Sequence, residues 1–100
     1  MVEIEYTIQA INDINHILEF IQRDSERYAK IQGLRFFERI EILKTHPLSG
    51  TIVPETNDPS IRELIMGSYR IIYQVISASR IVILAIHHSS RLFKSESILL

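Results

Sequence analysis

Cysteine is absent from this 100-residue chain, and glycine and proline occur only three times each. Without cysteine the chain has no disulfide framework, no thiolate metal site and no thiol nucleophile. So few glycines leave no glycine-rich phosphate loop, and neither His-Glu-x-x-His nor Gly-x-Ser-x-Gly occurs. No apolar run reaches membrane-spanning length, and no basic-then-apolar leader opens the sequence. We therefore predict a cytoplasmic protein without a metal or other cofactor.

The composition is that of an ordinary globular chain, with 46% hydrophobic and 23% charged residues. A length of 100 residues predicts one domain covering residues 1–100. The net charge of −1 conceals an uneven distribution of charge along the chain. Residues 1–26 carry six acids and one arginine, a balance of −5. Residues 60–94 carry five Lys or Arg and one Glu, a balance of +4. A pI near 6.4 argues against coating of nucleic acid but leaves room for a local basic site.

The first half of the chain predicts a strand followed by two helices. Apolar and polar residues alternate over residues 2–8, as in an edge strand with one buried face. The period then changes to three or four, which indicates a helix ending near residues 23–25 and a second helix from there to about Lys44. Pro47 disfavours helical geometry in the residue before it, so the second helix must stop first. Additional apolar residues widen the face of the second helix, which we expect to be wedged between the first helix and a sheet: Ile31, Leu34 and Ile42.

The second half predicts a loop and a three-stranded meander. Residues 48–59 contain one glycine and two prolines beside Asn57 and Asp58, a loop composition. Three short apolar runs follow, at residues 61–66, 69–76 and 81–86. The expected fold is α+β, a helical hairpin packed on a small antiparallel sheet in the order β-α-α-β-β-β. In the middle strand, Tyr69 and Tyr73 share one face, and Arg70 shares the other with Ile72 and Gln74.

Several polar residues could carry chemistry, and each also has a structural interpretation. Arg70 lies in a central strand, where it needs a carboxylate or an anion such as phosphate to offset its desolvation. Glu55 is an isolated loop glutamate of a kind that is usually solvated. Tyr69 and Tyr73 are expected to be core aromatics with wet hydroxyls. His87 and His88 are adjacent on a strand and point to opposite faces, so they cannot chelate one metal together, and a shift of register would exchange them.

The motifs of the chain resemble those of the RelE/ParE superfamily of bacterial toxins. The resemblance covers almost the whole chain, and its pieces are these: Ala10-x-x-Asp13-Ile14, His46-Pro47-x-x-Gly50, Pro54-Glu55, Arg62-Glu63-Leu64, Gly67-x-Tyr69-Arg70-Ile71-Ile72-Tyr73 and His87-x-x-x-Arg91. It implies the toxin of a type II toxin–antitoxin pair, of the ParE-like or plasmid stabilization type, silenced by a cognate antitoxin. ParE-like members poison DNA gyrase, whereas RelE-like members cleave mRNA on the ribosome.

The two branches assign different roles to the same residues. No lysine occurs between Lys44 and Lys94, so the lysine-rich cluster of RelE is not reproduced. The pattern of YoeB-like relatives falls on Glu55, Arg70 and either His88 or His87, but the tyrosine expected next is Ser89. If the chain is an mRNA endonuclease, the expected catalytic residues are Arg70, His88, Glu55 and Arg91. If it is not, the residues expected to bind the target or the antitoxin are Arg62, Arg70, His87 and Arg91.

We predict the ParE-like, gyrase-directed branch, because cleavage at a 2′-hydroxyl needs a base, an acid and phosphate-stabilising cations that this chain supplies poorly. The alternatives are a ribosome-dependent mRNA interferase and an inactive toxin fold that serves as a binding module, so whether the chain is an enzyme stays open. The implied partners are the antitoxin and either gyrase or ribosome-bound mRNA, in a homo-oligomer or a toxin–antitoxin hetero-oligomer and without a membrane. We expect an acidic antitoxin segment to cover the sheet face that carries Arg70 and the apolar residues 98–100 to pack on the sheet or on a partner.

Overall fold

The computed structural model describes residues 2–89. The elements follow one another as β1 (Glu3–Tyr6), α1 (Ile8–Gln22), α2 (Glu26–Glu41), a 3₁₀ turn (Ile42–Lys44), β2 (Thr51–Ile52), β3 (Ile61–Met66), β4 (Tyr69–Ser77) and β5 (Arg80–His88). The predicted α+β order of strand, helical hairpin and three-stranded meander is confirmed. The structure adds β2, two residues that pair with β3 inside the segment predicted as a loop.

The sheet is mixed, and the prediction of a wholly antiparallel sheet was therefore wrong in one strand. Its order is β1-β5-β4-β3-β2, with β1 parallel to β5 and all other neighbours antiparallel. The helical hairpin returns the chain to the start of β1, where Val2 N–H donates to the Lys44 carbonyl at 3.3 Å. The chain then crosses to the opposite edge of the sheet, where β2 lies. From there β3, β4 and β5 follow one another back across the sheet, so that β5 pairs with β1 and runs parallel to it.

Beyond the end of β1, side chains at the start of α1 form hydrogen bonds with the backbone of β5. The Thr7 hydroxyl accepts the Ala10 N–H at 3.0 Å as a helix cap and donates to the Leu84 carbonyl at 2.7 Å. Six residues later, the Asp13 carboxylate accepts the Ile86 N–H at 2.9 Å. These two side chains satisfy backbone groups of β5 that would otherwise lie at an unpaired sheet edge.

The two faces of the sheet have different cover. The helix face, which carries Ile71 and Tyr73, packs against α1 and α2 and forms the larger core with Phe36 and Ile40. The loop face, which carries Arg70 and Ile72, packs on residues of the loop between β2 and β3. Its smaller cluster consists of Val53, Ile61, Ile72 and Leu84. Along β4 the side chains alternate between the two faces as predicted.

The outer side of α2 is more exposed than the sequence predicts. Ala29, Phe36 and Ile40 are buried against the rest of the protein. Ile31, Leu34 and Ile42 were expected to widen this buried side, yet they are 39%, 57% and 40% exposed. The helix packs on only one side, because α1 and the sheet both lie there. Neither α1 nor α2, nor the 3₁₀ turn after them, combines the length and the apolar character that a membrane-spanning helix requires.

Candidate functional site

Arg70 forms the centre of a charged cluster on the loop face of the sheet. Its Nε donates to the Glu63 carboxylate at 2.7 Å, across the neighbouring strand β3. Its two terminal nitrogens donate to the two oxygens of Glu55 at 2.9 and 3.0 Å, a bidentate pair. The side chains of Arg70, Glu55 and Glu63 are only 9%, 19% and 14% exposed. The guanidinium is therefore engaged on both of its edges by carboxylates and is largely withdrawn from water.

The loop between β2 and β3 brings Glu55 to this position. Buried Val53 anchors the start of the loop, and the Thr56 hydroxyl donates to the Val53 carbonyl at 3.1 Å. Asn57 takes a left-handed conformation with φ of 54°, which asparagine tolerates better than most residues. Asp58 then accepts from the Ser60 backbone at 2.9 Å before β3 begins. The expectation that Glu55 is a solvated loop residue was wrong, because this turn directs it onto Arg70.

The electrostatics of the cluster favour a fixed ion pair over an anion site. The hydrogen bonds that Arg70 donates to Glu55 raise the pKa of Arg70 above its usual value, Glu63 adds to the effect, and desolvation opposes it. Arg70 thus stays charged, while the two carboxylates outnumber it by one. A phosphate approaching the cluster would face this negative balance and would have to displace a carboxylate. Of the two interpretations open at the sequence level, the structure shows the ion pair.

Arg62 and Tyr73 form a second polar arrangement, on the helix face at the β2 side of the sheet. They lie opposite each other on β3 and β4. The Tyr73 hydroxyl donates to the Pro47 carbonyl and accepts the Gly50 N–H, both at 3.0 Å. Arg62 donates to the Gly50 carbonyl at 2.8 Å. Tyr73 is fully buried, so the expectation of a wet hydroxyl was wrong for this residue: its hydroxyl holds the segment that connects α2 to β2.

The two histidines lie on opposite faces, as their adjacency predicts. His87 pairs with Arg70 in the β4–β5 register and so belongs to the loop face. His88 pairs with Tyr69 on the helix face, where the two rings meet edge to face with centroids 5.8 Å apart. His88 also borders a cavity of about 270 Å³ beside Asp13 and His16. Among the described residues no group of three metal-ligating side chains comes together.

The structure brings together some of the predicted site residues and separates others. Glu55 and Arg70 meet directly, and His87 is on their face of the sheet. His88, the preferred candidate for the nuclease, lies on the opposite face of the strand. Arg91 falls outside the described residues, as do the apolar residues 98–100. Glu63 is the functional residue that the sequence did not identify. Strand alternation could have placed Glu63 on the same face as Arg70, but only the register of β3 against β4 shows that the two side chains are in contact.

The RelE/ParE resemblance implies a helical hairpin on one side of a small sheet, and the structure shows such a hairpin on a five-stranded sheet. Comparison with known proteins narrows this class to one family. The family model for the ParE toxin of the type II toxin–antitoxin system parDE matches residues 4–93, and the chain belongs to this family.

Among solved structures, a chain titled as the chromosomal ParDE TA system from P. aeruginosa is similar at a TM-score of 0.71 and 20% identity. The alignment covers 88% of this chain and 96% of that one, so the two share a fold. A search of curated proteins found no match.

Proposed function

We propose that this protein is a cytoplasmic toxin that arrests bacterial growth through DNA gyrase, without cleaving RNA, and that a cognate antitoxin silences it. Membership of the ParE family supports the toxin role. The observation that carries the choice of mechanism is the double ion pair of Arg70. A nuclease would need that guanidinium to stabilise a phosphorane, whereas here both edges of the guanidinium bind carboxylates.

The positions of the other candidates support the same choice. Strand geometry places His88 on the face opposite Arg70, so the two cannot act on one phosphate from these positions. Arg62 donates to a backbone carbonyl in the segment before β2. An inhibitor that works by binding a protein needs no convergent acid, base and cation. It needs a complementary surface, which a small rigid sheet with a helical hairpin can present.

The experiment is induction of the chain in a bacterium, with DNA damage signalling and protein synthesis followed in the same cultures. We expect filamentation and a DNA damage response while translation continues, and inhibition of purified gyrase in a supercoiling assay. Rapid arrest of translation with cleavage of mRNA at codon positions would overturn the proposal in favour of the interferase. Normal growth after induction, with the folded chain present, would instead favour an inactive binding module.

Two conservative variants test whether a histidine takes part in a reaction. His87→Gln and His88→Gln each remove a group that could act as acid or base and keep the size and polarity of the side chain. We expect His88→Gln to remain as toxic as the parent chain, whereas His87→Gln, at a residue expected to bind the target or the antitoxin, should at most weaken that binding. If His88→Gln lost toxicity while keeping its melting temperature and its affinity for antitoxin, a histidine-dependent reaction would be indicated.

The antitoxin is tested by calorimetric titration with the folded chain. Burial of apolar surface and folding of the antitoxin segment predict tight binding with a negative heat-capacity change. The expected acidic antitoxin segment would meet an Arg70 that is already neutralised, because two of the chain's own carboxylates pair with it. Neutralising Arg70 alone therefore contributes little to the affinity, and weak binding without a heat-capacity change would contradict the proposed complex.

A further inference from the structure

The solvent side of α2 carries a narrow stripe of four residues: Arg27, Ile31, Leu34 and Glu38. At about 100° per residue, these positions fall within an arc of roughly 60°. The buried residues of the helix, Ala29, Phe36 and Ile40, lie on the opposite side. Ile31 and Leu34 are 39% and 57% exposed, and Leu34 lies at the edge of a groove shared with Leu18 of α1.

The stripe on one helix is complementary to the same stripe on a second, antiparallel helix. It runs from a cation through two aliphatic residues to an anion, and its spacing of four, three and four residues is the same from either end. Two antiparallel copies would therefore place Arg27 of each against Glu38 of the other. The same register places Ile31 of each against Leu34 of the other. Neither Arg27 nor Glu38 forms an ion pair with another residue of the described part of the chain.

We infer that the outer stripe of α2 is the contact between two copies of this chain, which pair as antiparallel helices about a two-fold axis. The axis crosses the helix between Ile31 and Leu34, so that each contact occurs twice, as an isologous interface requires. In the antiparallel arrangement, the positive end of each helix dipole lies beside the negative end of the other, which is electrostatically favourable. A second copy is the occupant that this pattern fits, because the charges and the apolar pair match only in the reversed register.

The contact is small, and the expected dimer is correspondingly weak. α2 has 16 residues, which at 1.5 Å per residue gives a contact about 24 Å long. An interface of one helix per subunit falls in the class of transient contacts below about 1,200 Å². We therefore expect an equilibrium between monomer and dimer that depends on concentration and, because the ion pairs are exposed, on salt.

The test is sedimentation of the full chain, free of antitoxin, over a range of concentrations at low salt. Arg27→Glu places like charges opposite Glu38 twice, and we expect it to weaken the dimer roughly tenfold. Adding Glu38→Arg in the same chain restores opposite charges and should return the affinity to the parent value. Leu34→Lys, at the centre of the stripe, should abolish the dimer. The controls are Arg23→Glu and Ile8→Lys, the latter at a residue that is 76% exposed on α1.

A parent chain that stays monomeric at every concentration would overturn the inference. So would a dimer that responds to Arg27→Glu no more than to Arg23→Glu, or a double variant that fails to recover. If Leu34→Lys lowers antitoxin affinity while the parent chain is monomeric, the stripe belongs to a different partner and the inference is equally refuted. Circular dichroism of each variant checks that the fold is kept. Gyrase inhibition is not needed for any of these readings, so this inference and the proposed function fail independently.

Discussion

Tyr73→Phe removes one buried hydroxyl oxygen and should lower the free energy of unfolding substantially for so small a change. The hydroxyl bridges the Pro47 carbonyl and the Gly50 N–H, each at 3.0 Å, and Tyr73 is fully buried. The buried N–H loses its acceptor, which costs about 1–3 kcal/mol, and the lost bond to the carbonyl costs about 0.5–1.5 kcal/mol more. We expect a total loss of about 2–4 kcal/mol.

The assay is urea unfolding followed by circular dichroism, with thermal melts in parallel. A loss of this size corresponds to a fall of roughly 10–25 °C in the melting temperature of a 100-residue chain. Tyr28→Phe is the matched control, because Tyr28 is 46% exposed on α2 and its variant should change the free energy of unfolding by less than about 0.5 kcal/mol. If Tyr73→Phe were as mild as the control, the hydroxyl would not anchor the segment before β2, and the reasoning would be refuted.

Three further predictions concern Gly50, Arg70 and the ionisation of Tyr73. Gly50→Ala should cost about 1–3 kcal/mol in urea unfolding, because its Cβ would lie 2.6 Å from the Tyr73 hydroxyl; Gly33→Ala, inside a helix, should be neutral or stabilising. Arg70→Met should cost about 3–5 kcal/mol, because it leaves two largely buried carboxylates uncompensated, and a loss below about 1 kcal/mol would contradict the structural role. Burial raises the pKa of Tyr73, so the folded state holds this proton more tightly than the unfolded state, and stability should fall as the pH rises above about 10. Tyr73→Phe should reduce that alkaline loss in pH-dependent melts.

The elements of the fold could be predicted because each of them follows a regular period. Apolar spacing located α1 and α2, and runs rich in β-branched residues located β3, β4 and β5. The direction of β1 could not be predicted, because it depends on where the helical hairpin returns the chain, and no local signal encodes that. The two-residue strand β2 could not be predicted for a different reason. Its extended conformation depends on pairing with β3 more than on the β-propensity of its own two residues.

The exposed side of α2 shows a limit of periodicity. Ile31, Leu34 and Ile42 broaden the apolar stripe of the helix in sequence, and a broad stripe ordinarily indicates burial on more than one side. The structure provides only one side to pack against, since α1 and the sheet occupy the same half of the helix surface. The surplus apolar residues are therefore unexplained by the fold of one chain. The reversible pattern of charges around Ile31 and Leu34 is what points to a second copy rather than to tolerance of exposure.

Arg70 shows why the charge of a residue does not by itself indicate its target. The sequence places an arginine in a central strand, and desolvation requires that something negative meet it. Both carboxylates that do so come from the same chain, one through strand register and one through a left-handed turn at Asn57. Arg70, a candidate for phosphate binding in the sequence, is therefore a structural residue in the fold. Its ion pairs hold the loop between β2 and β3 on the sheet. This ion-pair cluster occupies the cation that RNA cleavage would need, and that is the reason for proposing that the chain acts through contacts with another protein.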